Sequence, residues 1–245
     1  MSKKGILVSL FLSMCAVPAA GQENFESDVI RTSGGDLKIV FLGHGSVMFQ
    51  YADKVIQVDP YAKVADYSRL PKADLVLITH EHGDHLDQSA LQNARGDNTK
   101  VIATETVSKQ VIGAIVMHNG DTRVVDGLSI EAIPAYNIVH KRDNGQAFHP
   151  KGVGNGYILT VGDTRVYVAG DTENTPEMEA VKDIAVAFLP MNLPYTMTPE
   201  MVADAARAIR PKILYPYHFS GTDPSRLAAL LKGDPGIEVR IRRME

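Results

Sequence analysis

Asp74-Leu75-Val76-Leu77-Ile78-Thr79-His80-Glu81-His82-Gly83-Asp84-His85 runs an unbroken apolar stretch directly into a cluster of metal-ligating side chains. Residues 74–79 show no apolar/polar alternation, which predicts a strand buried on both faces. His80 and His82 are two positions apart, so an extended chain puts both imidazoles on one side. Gly83 lets the backbone turn and sends Asp84 and His85 back toward a neighbouring position. Three His and one Asp so close together form a ligand set for zinc or a similar ion. The whole chain has only 8 His, so composition alone does not produce this cluster.

One ion rarely needs that many ligands, and the sequence offers more downstream. The predicted strand 165–169 ends in Gly170-Asp171-Thr172, where a carboxylate could be shared by two cations and offset their repulsion. Gly162-Asp163-Thr164 repeats those three letters, but it lies between two strand-like runs, 156–161 and 164–169. It reads as a hairpin turn of type II′ with Gly in first place. A strand at 212–217 ends in His218. Two cations acidify a water held between them and polarise the bond under attack, so the expected chemistry is metal-assisted hydrolysis. Asp84 is then a candidate to orient the nucleophile and shuttle its proton.

Further out, strands are expected at 37–41, 46–51 and 55–58. A helix is expected over 199–209, with Thr198 as N-cap and Pro199 in its first turn. A short helix at 225–231 and a strand at 237–241 follow. Clustered strands with helices between them indicate an α/β fold of two facing sheets with helices outside, in one domain over 37–245. Residues 22–36 read as a flexible leader. Residues 1–21 read as an export signal: Lys3 and Lys4, an apolar run over 5–17, then small residues. That run is too short to span a bilayer as a mature helix, so the mature chain is expected to carry no integral membrane segment and to work in the periplasm or outside the cell. Cys15, the only cysteine, falls inside the signal. Lipid anchoring through it is disfavoured by the bulky Met14. The mature chain is therefore expected to hold metal with nitrogen and oxygen alone. A net charge of −4 argues against nucleic acid as a partner. A small-molecule substrate is expected, and the sequence does not specify an assembly state.

The ordered set His80-x-His82-x-Asp84-His85, Gly170-Asp171-Thr172 and His218 resembles the metallo-β-lactamase superfamily over nearly all of 37–245. Gly43-His44-Gly45-Ser46, Val58-Asp59-Pro60-Tyr61 and Tyr195-Thr196-Met197 are similar to its small stand-alone branch. That branch includes ascorbate-6-phosphate lactonase and the N-acyl-phosphatidylethanolamine phospholipase D type. The resemblance implies a four-layer αββα sandwich with two zinc ions per chain, Mn2+ or Fe2+ being alternatives. It implies that His80 and His82 hold one ion, that Asp84, His85 and His218 hold the other, and that Asp171 bridges them. It also implies hydrolysis of an ester, lactone or phosphodiester bond. His82 stands where oxygen-reducing relatives carry Glu, and antibiotic-degrading relatives generally lack the Asp found here at 171, so redox chemistry and β-lactam cleavage are disfavoured.

One motif departs from the family. Pro134-Ala135-Tyr136-Asn137 has Asn where a third His for the first metal is usual. His149 is the favoured substitute, expected within direct or water-mediated reach of that metal. Asn137 through its amide oxygen and His140 are the alternatives. His44, Asn137 and Tyr195 are candidate substrate contacts. Two other functional classes stay open: a non-catalytic metal-binding protein with a decayed site, and a phospholipase working at a membrane surface.

Overall fold

The computed structural model describes residues 25–245, so the expected export signal and Cys15 lie outside the described residues. The first sheet runs in chain order through β1 (Glu26–Thr32), β2 (Gly35–Gly43), β3 (Ser46–Tyr51), β4 (Lys54–Val58), β5 (Ala73–Leu77), β6 (Arg95–Ala103) and β7 (Ile115–Val116). Its first four strands are antiparallel and the rest pair in parallel. The second sheet repeats the plan with β8 (Thr122–Val125), β9 (Leu128–Ala135), β10 (Gly154–Val161), β11 (Thr164–Val168), β12 (Val186–Pro190), β13 (Ile213–Tyr217) and β14 (Glu238–Val239). There too an antiparallel half gives way to a parallel half at the fourth strand. The sequence shows no sharp repeat to announce this twofold plan.

The sheets face each other across the main core, where Phe41, Phe49 and Leu75 of one meet Tyr157, Phe188 and Tyr215 of the other. Phe41 and Tyr215 rings lie 4.9 Å apart. Full burial of one Leu, Ile or Phe contributes about 1.5–3 kcal/mol relative to exposure, so this interface dominates the fold's stability. β5 shows why its sequence carries no alternation. Leu75 and Leu77 enter the core between the sheets, while Val76 and Ile78 pack into a second cluster outside it with Leu91 and Val107. Those two residues come from α1 (Gln88–Ala94) and α2 (Glu105–Ser108). On the other flank lie α3 (Pro176–Glu179), α4 (Pro199–Ile209) and α5 (Ser225–Leu230). α4 buries Val202, Ala205, Ala206 and Ile209 as expected, and Thr198 Oγ1 accepts from Met201 N–H at its start. The expected four-layer αββα sandwich is the observed architecture.

The domain begins earlier than expected. The described part of the leader is not flexible: residues 26–32 form β1, paired with β2 from Glu26–Phe41 to Thr32–Gly35. Its composition is polar because it is an edge strand, with a water-facing side. Asp28 nonetheless lies in an ion pair with Arg242, at 2.7 Å, and with Arg240, at 3.2 Å. The Gly162-Asp163 hairpin is as expected, with Gly162 at φ 58°. The last strand is shorter than expected, Glu238–Val239 only. β6 to β9, β12 and the short helices α1, α2 and α3 had no counterpart in the sequence reading.

Candidate metal centre

The parallel halves of both sheets aim their C-terminal strand ends at one edge of the sandwich, and the candidate ligands stand there. β5 delivers His80 to His85, β13 delivers His218, and Asp171 follows β11. The turn after Gly83 closes as His85 N–H and Leu86 N–H both donate to the His82 carbonyl, at 2.9 and 2.7 Å. Gly170, at φ 66°, carries the chain from β11 to Asp171, and a Cβ there would lie 2.9 Å from the Asn155 carbonyl oxygen.

Two groups form. His80, His82 and His149 bring ligand atoms within 4.8 Å of one another, with ring centroids 4.7 to 5.0 Å apart. His44, Asp84, His85 and His218 form the second group by the same measure. Asp171 lies between them. Its Oδ2 is 3.3 Å from His149 Nε2 and 3.5 Å from His218 Nε2, and its Oδ1 is 3.4 Å from His85 Nε2. The Nε2 atoms of His80, His85, His149 and His218, with Asp171 Oδ1, are buried without a hydrogen-bond partner. Leaving so many polar atoms unsatisfied costs about 1–3 kcal/mol each. Cations shared among them remove that cost, so the residues fit a metal pair.

Four of the rings are held from behind by their other nitrogen. His80 Nδ1 lies 3.0 Å from Thr79 Oγ1, which itself donates to Asp59 Oδ2. His85 Nδ1 lies 2.8 Å from Asp59 Oδ2, and His149 Nδ1 lies 2.7 Å from Asn137 Oδ1. The Asn192 carboxamide lies 3.2 Å from His218 Nδ1. Occupying Nδ1 aims Nε2 at the centre and fixes the tautomer a metal requires.

The electrostatics ask for positive charge. Burial works against a charge on Asp171, but His218, His85 and His149 hold its carboxyl well below the usual range. Asp84 is depressed in the same way: desolvation is outweighed by His218, His44 and His85. Burial would lower His85, yet Asp171, Asp59 and Asp84 hold it up at about 9. His80 is pushed well down, first by burial and then by the neighbouring imidazoles. The metal-free centre therefore holds anionic carboxylates against crowded imidazoles.

Above the ligands opens a cleft of about 410 Å³, walled by Arg142, Phe148, Asn192 and Tyr195. Tyr195 stands at its rim, and His44 Nε2 lies 2.9 Å from Asp84 Oδ2. The structure corrects two expectations. Asn137 is not a cleft residue: it is buried behind His149, accepting from both its backbone N–H and its ring, and donating to Glu173 Oε1 and the Tyr195 carbonyl. His140 joins none of the ligand groups; its Nδ1 lies 2.7 Å from Glu173 Oε1. Glu173 itself had no role in the sequence reading. This enclosed carboxylate gathers the N–H groups of Ile138, Val139 and His140, each at 2.7 Å. Asp59 had been noted only as part of a family-like segment. Asp59 at the end of β4 and Asn192 beyond β12 carried one usable signal, a polar residue just past a buried parallel strand.

A family model described as a beta-lactamase superfamily domain matches residues 38–218. The chain belongs to the metallo-β-lactamase superfamily. A metal-dependent hydrolase of the UPF0173 group from Thermococcus kodakarensis is 31% identical to this family member over 202 residues, 77% of this chain and 87% of the relative. A crystal structure of a protein designated a metal-dependent hydrolase, from Parabacteroides distasonis, is similar at 49% identity and a TM-score of 0.86, covering 91% of this chain and 100% of that one. Igni18, described as a metallo hydrolase of Ignicoccus hospitalis, aligns with this superfamily member at 26% identity and a TM-score of 0.71, over 85% of this chain and 96% of its own.

Proposed function

We propose that this protein is an exported hydrolase that uses two zinc ions to cleave an ester, lactone or phosphodiester bond in a small molecule. Its family and its relatives' designations make it a metal-dependent hydrolase, and a His/Asp cluster that could hold metal lies at the sandwich edge. The finer reading rests on one observation: Asp171 lies against both ligand groups, and the Nε2 atoms of His80, His85, His149 and His218 that face inward have no hydrogen-bond partner. His80, His82 and His149 would hold one ion, and Asp84, His85 and His218 the other. A nitrogen and oxygen set without thiolate suits zinc and also admits Mn2+ or Fe2+. When bound, the pair supplies Lewis-acid polarisation and acidifies water. Asp59, Thr79, Asn137 and Asn192 keep the imidazoles aimed inward. Asp84 Oδ2, 2.9 Å from His44 Nε2, orients the attacking water at the cleft floor. Among the described residues no helix is long and apolar enough to cross a membrane.

Elemental analysis of the dialysed mature protein should return about two zinc ions per chain. A stoichiometry of one or less refutes the two-metal reading. A panel of ester, lactone and phosphodiester substrates identifies the bond. Export is tested by N-terminal sequencing of the protein recovered from the periplasm or medium: cleavage near Ala20 is expected, and an intact Met1 on cytosolic protein refutes it.

A further inference from the structure

Among the described residues Arg142 is the only lysine or arginine lining the cleft. Its guanidinium lies over the Phe148 ring, 5.1 Å from the centroid, and one Nη2–H donates to the Phe148 carbonyl at 3.5 Å. Among the described residues no carboxylate lies within ion-pair distance of it. Stacking occupies the face of the guanidinium and leaves most of its N–H edge unused. The arginine sits on a braced loop: Arg142 N–H donates to the Gln146 carbonyl at 2.8 Å, Gly145 N–H returns to Arg142 at 2.8 Å, and Lys141 bridges Ala147. Glu173 pins the start of that loop through three backbone N–H groups, and its far end carries His149. The loop that carries Arg142 is thereby anchored next to the ligand groups. On the same wall Tyr195, 45% exposed, meets the Phe148 ring edge-on at 5.0 Å between centroids.

A planar cation with a free fork, fixed beside a hydrolytic centre, suits a planar or tetrahedral oxyanion. We propose that Arg142 anchors an anionic group of the substrate, a carboxylate or a phosphate, that is separate from the bond being cleaved. The preferred substrates are then acidic esters or lactones, and Phe148 and Tyr195 border the segment joining the two ends. This inference rests on the hydrolase reading for turnover, but not for binding.

The test uses full-length mature protein loaded with zinc, as wild type, Arg142→Ala and Arg142→Lys. Two esters share one leaving group: p-nitrophenyl acetate, which is neutral, and mono-p-nitrophenyl succinate, which is anionic. For the anionic ester, Arg142→Ala should raise KM by about tenfold or more with kcat within about twofold, as loss of a charged hydrogen bond predicts. KM for the acetate should not change. Calorimetric binding of succinate and of inorganic phosphate should weaken in Arg142→Ala and be partly restored in Arg142→Lys, and the probe weakened more identifies the anion. Equal changes for both esters, or unchanged binding of both anions, overturns the proposal. If wild type turns over neither ester, esters are removed from the hydrolase reading, while Arg142 is judged by anion binding alone.

Discussion

Asn137→Ala isolates what a residue behind a ligand does. Asn137 Oδ1 accepts from His149 N–H at 2.8 Å and from His149 Nδ1 at 2.7 Å, so the variant orphans two buried donors. The backbone bond from Asn137 N–H to the His149 carbonyl, 2.9 Å, survives and keeps the loop in place. Two orphaned donors cost at least about 2 kcal/mol, which lowers Tm by about 4–8 °C for a domain of this size. The larger effect is on His149, whose ring loses the partner that aims Nε2 at Asp171. Removing such a partner weakens metal binding by about 10–100-fold. Competition between metal-free protein and a zinc-chelating dye should show two tight sites in wild type. In the variant one should stay tight and one should weaken by that factor. The reasoning is refuted if both sites keep wild-type affinity, or if both fall together, because the second group contains no atom that Asn137 touches.

Asp171→Ala should abolish hydrolysis while circular dichroism stays native, since it removes the carboxylate lying between the two groups; the exposed turn variant Asp163→Ala should keep near-wild-type turnover. Gly45→Ala would put a Cβ 2.8 Å from His85 Cε1; pushing that ring off Asp59 should reduce turnover at least about tenfold, by the loss expected from a disturbed ligand support, and an unchanged rate would show that the turn can yield. The Asp28 carboxyl, with burial opposing its charge, is held low by Arg242, Tyr215 and Arg240. A depressed folded value means its stabilisation is complete above the unfolded value of about 3.9 and fades as pH falls through the folded one. Asp28→Asn should therefore lower Tm at pH 7 more than at pH 2, and an equal loss at both would refute the linkage. With His85 held at about 9 in the metal-free state, zinc must displace its proton, so affinity should rise between pH 6 and about 9, with proton release visible as buffer-dependent binding heat.

The sequence by itself determined the ligand types and their order. His80, His82, Asp84 and His85 were legible because a strand and one turn place them locally, and such spacing keeps its meaning wherever the strand packs. The amphipathic α4 and the Gly162 hairpin were legible for the same reason. Tertiary structure decided everything that depends on distant chain meeting. The sequence favoured His149 over His140 without deciding between them, and the folded loop decides it: Asn137 backs the His149 ring, which joins His80 and His82, while His140 faces Glu173. Asp59 serves His85 from 26 positions away, and no periodicity reports such a pairing. β1 was misread because an edge strand with one wet side and ion-paired charges has the composition of a flexible leader. The matching order of antiparallel and parallel strands in the two sheets also left no trace in the letters, since many apolar sequences fill one layer equally well and backbone pairing, not side-chain identity, carries that symmetry.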